Sequence, residues 1–278
     1  MTFDLSDQIL RTLIASALQI GVVAIIIKVV LFAAQRLGDA TFNTIERSFG
    51  YKKMAYTTGW IGVPLHEFSH LLACKIFRLD VTAVKFFEPD GSGTLGYVQF
   101  NHHGTFMNRV GCFVVGIAPL ISGISVILVL GLLLVPGVDQ LISRIVVASF
   151  EINLLSVHAY LLLMGQASLE GFRLLFNIEN LLRWQFWVFL YVSSCISIHL
   201  SPCYSDQQIA RAGITSAIIL VIIGNAIAAA LWFNPLGYTL YWGKFLGMTL
   251  SLLGLAMGMS LIYCIAAHVI TLPVRILR

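Results

Sequence analysis

The chain has 278 residues, of which 58% are hydrophobic and 11% charged; soluble domains carry about 25% charged residues, so it reads as a polytopic membrane protein. The formal net charge of +4 is scattered along the chain, which excludes a basic nucleic-acid-binding face. Its five cysteines are odd in number and lack C-x-x-C spacing, which excludes a disulfide framework or cysteine metal cluster and leaves buried free thiols.

Asp4, Asp7 and Arg11 precede a long apolar run without a basic leader or a small-residue cleavage site, which predicts a retained helix rather than a cleaved signal peptide. The run over 9–34 is interrupted only by Arg11 and Lys28, both close enough to its ends to snorkel, and predicts a first span. Residues 35–56 are polar and mixed in charge, which predicts an interfacial segment. A second helix is expected over 57–79. Its Pro64 lacks an N–H and frees a carbonyl one turn earlier, which suits a kink with a polar pocket and equally a tolerated membrane-helix proline.

That helix contains His66-Glu67-Phe-Ser-His70. Side chains four apart on a helix stand about 40° apart around the axis, so both imidazoles can bind one tetrahedral zinc ion. Glu67, about 100° round from His66, can reach a water on that ion. Zinc lowers the pKa of such a water to about 7, and a neighbouring carboxylate then takes its proton. Three ionisable side chains at membrane depth are expensive, which favours a metal site over a packed polar helix face.

After this helix, Val81–Phe100 places two β-type runs around Glu-Pro-Asp-Gly-Ser-Gly, a concentrated turn signal, and predicts a β-hairpin. An exposed strand edge there suits an extended peptide by strand addition; a hairpin that merely covers the bundle is the alternative. His102 and His103 follow it as loop histidines. A further span is expected over 109–135, where Gly116, Pro119, Ser122 and Gly123 permit close helix approach. The stretch 140–165 is apolar but carries Glu151, Asn153, Ser156 and His158, and 166–183 is more polar. Spans are expected over 184–202, 211–233 and 239–271, with His268 structural and Arg275 and Arg278 forming a basic end. The expected architecture is an all-α polytopic membrane protein of about six transmembrane helices with one membrane-associated hairpin. We divide it into an N-terminal segment 1–56, a core 57–210 and two C-terminal helices over 211–278.

This ordered set, H-E-x-x-H in a membrane helix, hairpin, Gly-x-x-Pro span and a later Pro-to-Asp motif, resembles the site-2 protease family of intramembrane zinc metalloproteases. The resemblance covers roughly residues 57–206. The family's second helix has Gly-Pro followed by Asn, where this chain has Gly116-Ile-Ala-Pro119-Leu-Ile-Ser122. The family's third element, Asn-x-x-Pro-x-x-x-Leu-Asp-Gly, supplies the third zinc ligand from its Asp. Here His199-Leu-Ser-Pro202-Cys-Tyr-Ser-Asp206 puts His for Asn, is one residue shorter and lacks the Gly. The competitor Ser168-Leu-Glu170-Gly-Phe-Arg is similar to the family's Leu-Asp-Gly-Gly-Arg with Glu for Asp. If 140–165 spans the bilayer, Glu170 returns to the zinc side; if it lies in the interface, Asp206 does. Asp206 is the favoured third ligand, because mid-bilayer polar groups at 151, 153 and 158 are costly.

The resemblance implies a zinc endopeptidase that cuts a transmembrane protein within or beside its membrane segment, with Glu67 as catalytic base and His66, His70 and Asp206 on the metal. His199 then stands where the family's Asn is implied to hold the substrate backbone or an oxyanion; a neighbour of zinc or a plain interfacial histidine are its other readings. The resemblance also implies a multi-pass cell-membrane location with the site toward the cytoplasm. Charge casts no vote, since eight Lys and Arg fall on each side with Lys28 inside the first span. The expected partners are the transmembrane substrate and the lipid bilayer, with substrate selection resting on the membrane domain or on a separate regulatory membrane protein. A non-catalytic membrane scaffold or binding protein that keeps the fold is the alternative; a zinc or small-solute transporter is the weaker rival, because transporters usually show repeated halves and this sequence shows no internal repeat.

Overall fold

The computed structural model describes residues 5–89, 94–149, 157–201, 203–231 and 235–276. Helix α1 (Leu5–Phe49) is continuous through the segment expected to be interfacial. Its small hydroxyls bond within the helix: Thr41, Thr44 and Ser48 donate to the carbonyls of Leu37, Ala40 and Thr44. Those hydroxyls are buried on a packed helix face, while Arg36, Asp39, Glu46 and Arg47 are exposed on the other. Gly50, with φ +86°, ends α1 in a conformation only glycine adopts freely. A short α2 (Tyr51–Met54) and a π turn (Ala55–Gly59) lead into α3 (Trp60–Ile76), the helix of the His-Glu-His motif.

The hairpin forms as expected. Strand β1 (Asp80–Lys85) pairs antiparallel with β2 (Tyr97–Asn101), from Asp80 opposite Asn101 to Lys85 opposite Tyr97, with a bulge between Val81 and Ala83. Most of its expected turn, residues 90–93, lies outside the described residues. Helix α4 (Phe106–Leu134) starts at Thr105, whose side chain accepts the Asn108 N–H at 3.2 Å.

Of residues 140–165, those up to 149 belong to α5 (Val138–Ser149) and those from 157 to α6 (Val157–Leu175), and Glu151, Asn153 and Ser156 lie outside the described residues. At 12 residues, α5 is about 18 Å long, too short to span, and it buries Leu141 and Ile145 against Ala167 and Leu255. A single turn α7 (Ile178–Leu181), then α8 (Trp184–Ile198), α9 (Tyr204–Ala230) and α10 (Pro235–Ile276) complete the chain.

Among the described residues, three helices are long and apolar enough to cross a membrane: Phe106–Leu134, Tyr204–Ala230 and Gly247–Val274. One apolar core joins α4, α8 and α10 through Ile124, Ile196, Leu200, Leu250 and Leu253. A second joins α3, the hairpin and α4 through Ala73, Cys74, Leu79 and Val115. The expected division at residue 56 falls in the π turn, and that at 210 falls inside α9.

Candidate metal centre

His66 and His70 project from one face of α3 with ring centroids 4.8 Å apart and planes at 74°. Each ring is held by a backbone carbonyl of another helix. His66 Nδ1 donates to the carbonyl of His199 at 2.7 Å, and His70 Nδ1 donates to that of Val115 at 2.9 Å. A carbonyl only accepts, so both Nδ1 atoms carry hydrogen and each neutral ring presents a lone pair at Nε2.

Both lone pairs face Asp206. His66 Nε2 is 3.3 Å from Oδ2 and His70 Nε2 is 3.1 Å from Oδ1. Asp206 sits in the first turn of α9, where Oδ2 also accepts the Cys203 N–H at 2.8 Å, a capping contact that fixes the carboxylate. His70 Nε2 is sealed from solvent and makes no hydrogen bond among the described residues, although Oδ1 is so near. In the neutral Nδ1–H form two acceptors face each other across that gap, and the His66 Nε2–Oδ2 approach at 3.3 Å is a hydrogen bond only when that ring is protonated. With both rings neutral, three electron-pair donors converge here, and one ligand atom from each residue lies within 4.8 Å of the others.

Charging the rings would bury two cations beside Asp206 and Glu67, at a desolvation cost of several kcal/mol per ion. A bound metal ion satisfies all three donors at once, and Nδ1–H bonds to carbonyls are the usual outer support of metal-binding histidines. Ligands about 2.0–2.1 Å from a tetrahedral ion stand roughly 3.3–3.4 Å apart. The two imidazole–carboxylate separations, 3.3 Å to Oδ2 and 3.1 Å to Oδ1, are close to that spacing.

Glycines set the approach of each element. A Cβ at Gly116 would fall 2.6 Å from the Asp206 carbonyl oxygen and 2.8 Å from Ala210 N. A Cβ at Gly213 would fall 2.1 Å from the Arg109 carbonyl oxygen, so α4 and α9 run antiparallel in backbone contact. The close approach expected at Gly116 is therefore what brings Asp206 to α3.

Glu67 is 8% exposed and lies on the hairpin side, where a Cβ at Gly96 would come 2.9 Å from its Cγ. It is within electrostatic reach of both imidazoles and of Asp206, and no group among the described residues hydrogen-bonds its carboxylate.

The other candidates lie elsewhere. Glu170 stands 3.8 Å from Arg144 in an exposed pair and not at the centre. His102 and His103 are exposed, with His103 paired to Asp80 at 2.6 Å. His158 is exposed, and His268 bonds Thr44 at 3.1 Å. Pro202 lies outside the described residues. The His199 ring points away from the metal donors, packing 5.1 Å from Phe42 with Nε2 3.2 Å from the Thr58 hydroxyl; only its carbonyl serves the centre. All five cysteines are free, and Cys203 is exposed rather than buried because it caps α9. Sequence reasoning did not find the Val115 and His199 carbonyls, since any residue type supplies one. Gly62, whose Cβ would fall 2.4 Å from the Cys195 carbonyl oxygen, was the available sign that α8 presses on α3 one turn before His66.

No protein-family model, curated protein or solved structure matches the chain.

Proposed function

We propose that this protein is a zinc-dependent endopeptidase of the membrane, similar in plan to the site-2 proteases, cutting other membrane proteins within or near a transmembrane segment. One observation carries the reading: His66, His70 and Asp206 converge as a set of metal-ligating side chains, with the buried Glu67, whose carboxylate has no hydrogen-bond partner among the described residues, beside them. Two imidazoles and one carboxylate are a familiar catalytic zinc set with one position open. Bound there, the ion polarises a carbonyl and makes water acidic enough to give up a proton near pH 7.

The chain's residues do the rest. Glu67 takes the proton from the attacking water and delivers it to the leaving amine. A carboxylate kept only for structure would be paired, because an unpaired buried polar group costs about 1–3 kcal/mol. The hairpin, lying on Glu67 through Gly96, offers a strand edge to an unwound substrate segment. The three long apolar helices, joined by α1, α3 and α8, make about six spans in this reading, with the centre toward the cytoplasm. A separate membrane protein is expected to select substrates.

Glu67→Gln is the test. It should fold, retain about one zinc per chain, and lose roughly 10²- to 10⁴-fold in rate, so that full-length membrane proteins accumulate which the wild type converts to fragments. Comparing membrane proteomes of cells carrying each form reads this out. A Glu67→Gln protein that leaves that proteome unchanged would favour the scaffold instead.

A further inference from the structure

The π turn Ala55–Gly59 touches both halves of the site. On one side its Tyr56 ring meets Phe87, at the end of the hairpin's first arm, edge to face at 5.3 Å, and a Cβ at Gly59 would lie 3.0 Å from the same ring. On the other side the Thr57 carbonyl accepts the Tyr191 hydroxyl of α8 at 2.8 Å, and the Thr58 hydroxyl lies 3.2 Å from His199 Nε2. Irregular π geometry within a helix is often found at functional sites.

His199 follows the last turn of α8, where carbonyls have no partner within the helix and their aim depends on how the chain leaves it. Its ring is held on three sides. Thr58 bonds Nε2, Phe42 packs at 5.1 Å, and Gly62 leaves room that a Cβ, 2.5 Å from ring Cδ2, would take away. Fixing the ring fixes the residue, and with it the carbonyl that takes the His66 Nδ1 proton at 2.7 Å.

We propose that Thr58 and His199 are positioning residues for His66: the hydroxyl anchors the His199 ring so that its carbonyl holds the His66 tautomer and aims Nε2 at the metal. This rests on the metal-centre reading above. It also explains a His at position 199, since a ring long enough to reach Thr58 spans the gap between α8 and the π turn.

Cobalt(II) is the probe, because its visible absorption reports ligand geometry directly, with zinc affinity measured by competition on purified full-length protein. Thr58→Val removes the hydroxyl at nearly constant volume, and Thr58→Ser restores it. Thr58→Val and His199→Asn should each lose about 10- to 100-fold in metal affinity and shift the cobalt spectrum, while Thr58→Ser keeps the wild-type values. Should Thr58→Val fail to fold, His199→Asn against Thr58→Ser decides the matter by the same two readouts. Variants that lose thermal stability equally with and without metal, but keep wild-type affinity and spectrum, would overturn the proposal and leave the centre standing. A wild-type protein that takes up neither cobalt nor zinc would overturn the centre itself.

Discussion

Asp206 has three polar neighbours, and with both rings neutral and protonated at Nδ1 it accepts a hydrogen bond from only one of them. Its Oδ2 accepts the Cys203 N–H, while both oxygens face imidazole lone pairs. Asp206→Asn should therefore have opposite effects on the two states. The amide oxygen keeps the Cys203 contact, and the amide N–H can donate across the 3.1 Å gap to His70 Nε2. Such a bond contributes about 1 kcal/mol, so melting of the metal-free variant should occur at or above the temperature of the metal-free wild type. Metal affinity should fall by more than the roughly 10- to 100-fold lost with an outer partner. Glu170→Ala should change neither quantity, because Glu170 stands in the exposed pair with Arg144. Paired calorimetry with and without zinc checks both effects. The two histidines were legible because their geometry is local, four residues along one helix. Asp206 was reached only through a family resemblance, because no spacing rule links residues 140 positions apart, and Glu170 competed for the role.

At the scale of elements, the centre depends on backbone contacts that only glycine permits. Gly116→Ala places a methyl 2.6 Å from the Asp206 carbonyl oxygen, and helix backbone cannot yield as a side chain can. It should move the start of α9 and weaken metal binding at unchanged helix content. Gly131→Ala is the control, because its nearest neighbour is a Val138 methyl at 3.3 Å. Gly96→Ala separates binding from catalysis: its methyl meets Glu67 Cγ at 2.9 Å and the Phe86 carbonyl at 2.8 Å, so the hairpin should lift away from the base. Zinc content should persist while proteolysis falls, which metal analysis and a cleavage assay on one preparation distinguish. The hairpin and the small-residue contact at Gly116 were legible because turn residues and glycines signal through their backbone freedom. The π turn and the long run of α1 were not. Their polar residues read as surface, while the hydrogen bonds and helix α10 that bury them are visible only in three dimensions.

Across the whole molecule, the donor set joins side chains from α3 and α9 at a junction whose spacing is set by glycine contacts and a shared apolar core. His66 and His70 come from α3, Asp206 from α9, and the supporting carbonyls from α4 and from the end of α8. The bundle also has ties independent of the centre. Thr44 meets His268 between α1 and α10, and Asn225 bonds Ser16 at 2.8 Å between α9 and α1. Composition made the membrane class legible, whereas the number of spans was not. The helices α3 and α8 are 17 and 15 residues long and packed among others, so apolar runs in the sequence did not translate one for one into long helices. This division sets an expectation for metal removal. A ligand at 1,000 times its Kd stabilises the folded state by about 4 kcal/mol, and that stabilisation acts only on openings that break the site. Chelation should accelerate amide exchange in α3 and in the α8–α9 connection, where the donors then oppose one another. Exchange in α1 beside α10, and in α5 beside α6, should stay unchanged, because those contacts contain no donor of the centre. Exchange mass spectrometry on zinc-loaded and chelated protein tests this directly. A uniform acceleration over the whole bundle would mean that the metal holds the entire fold together rather than a local junction of four helices.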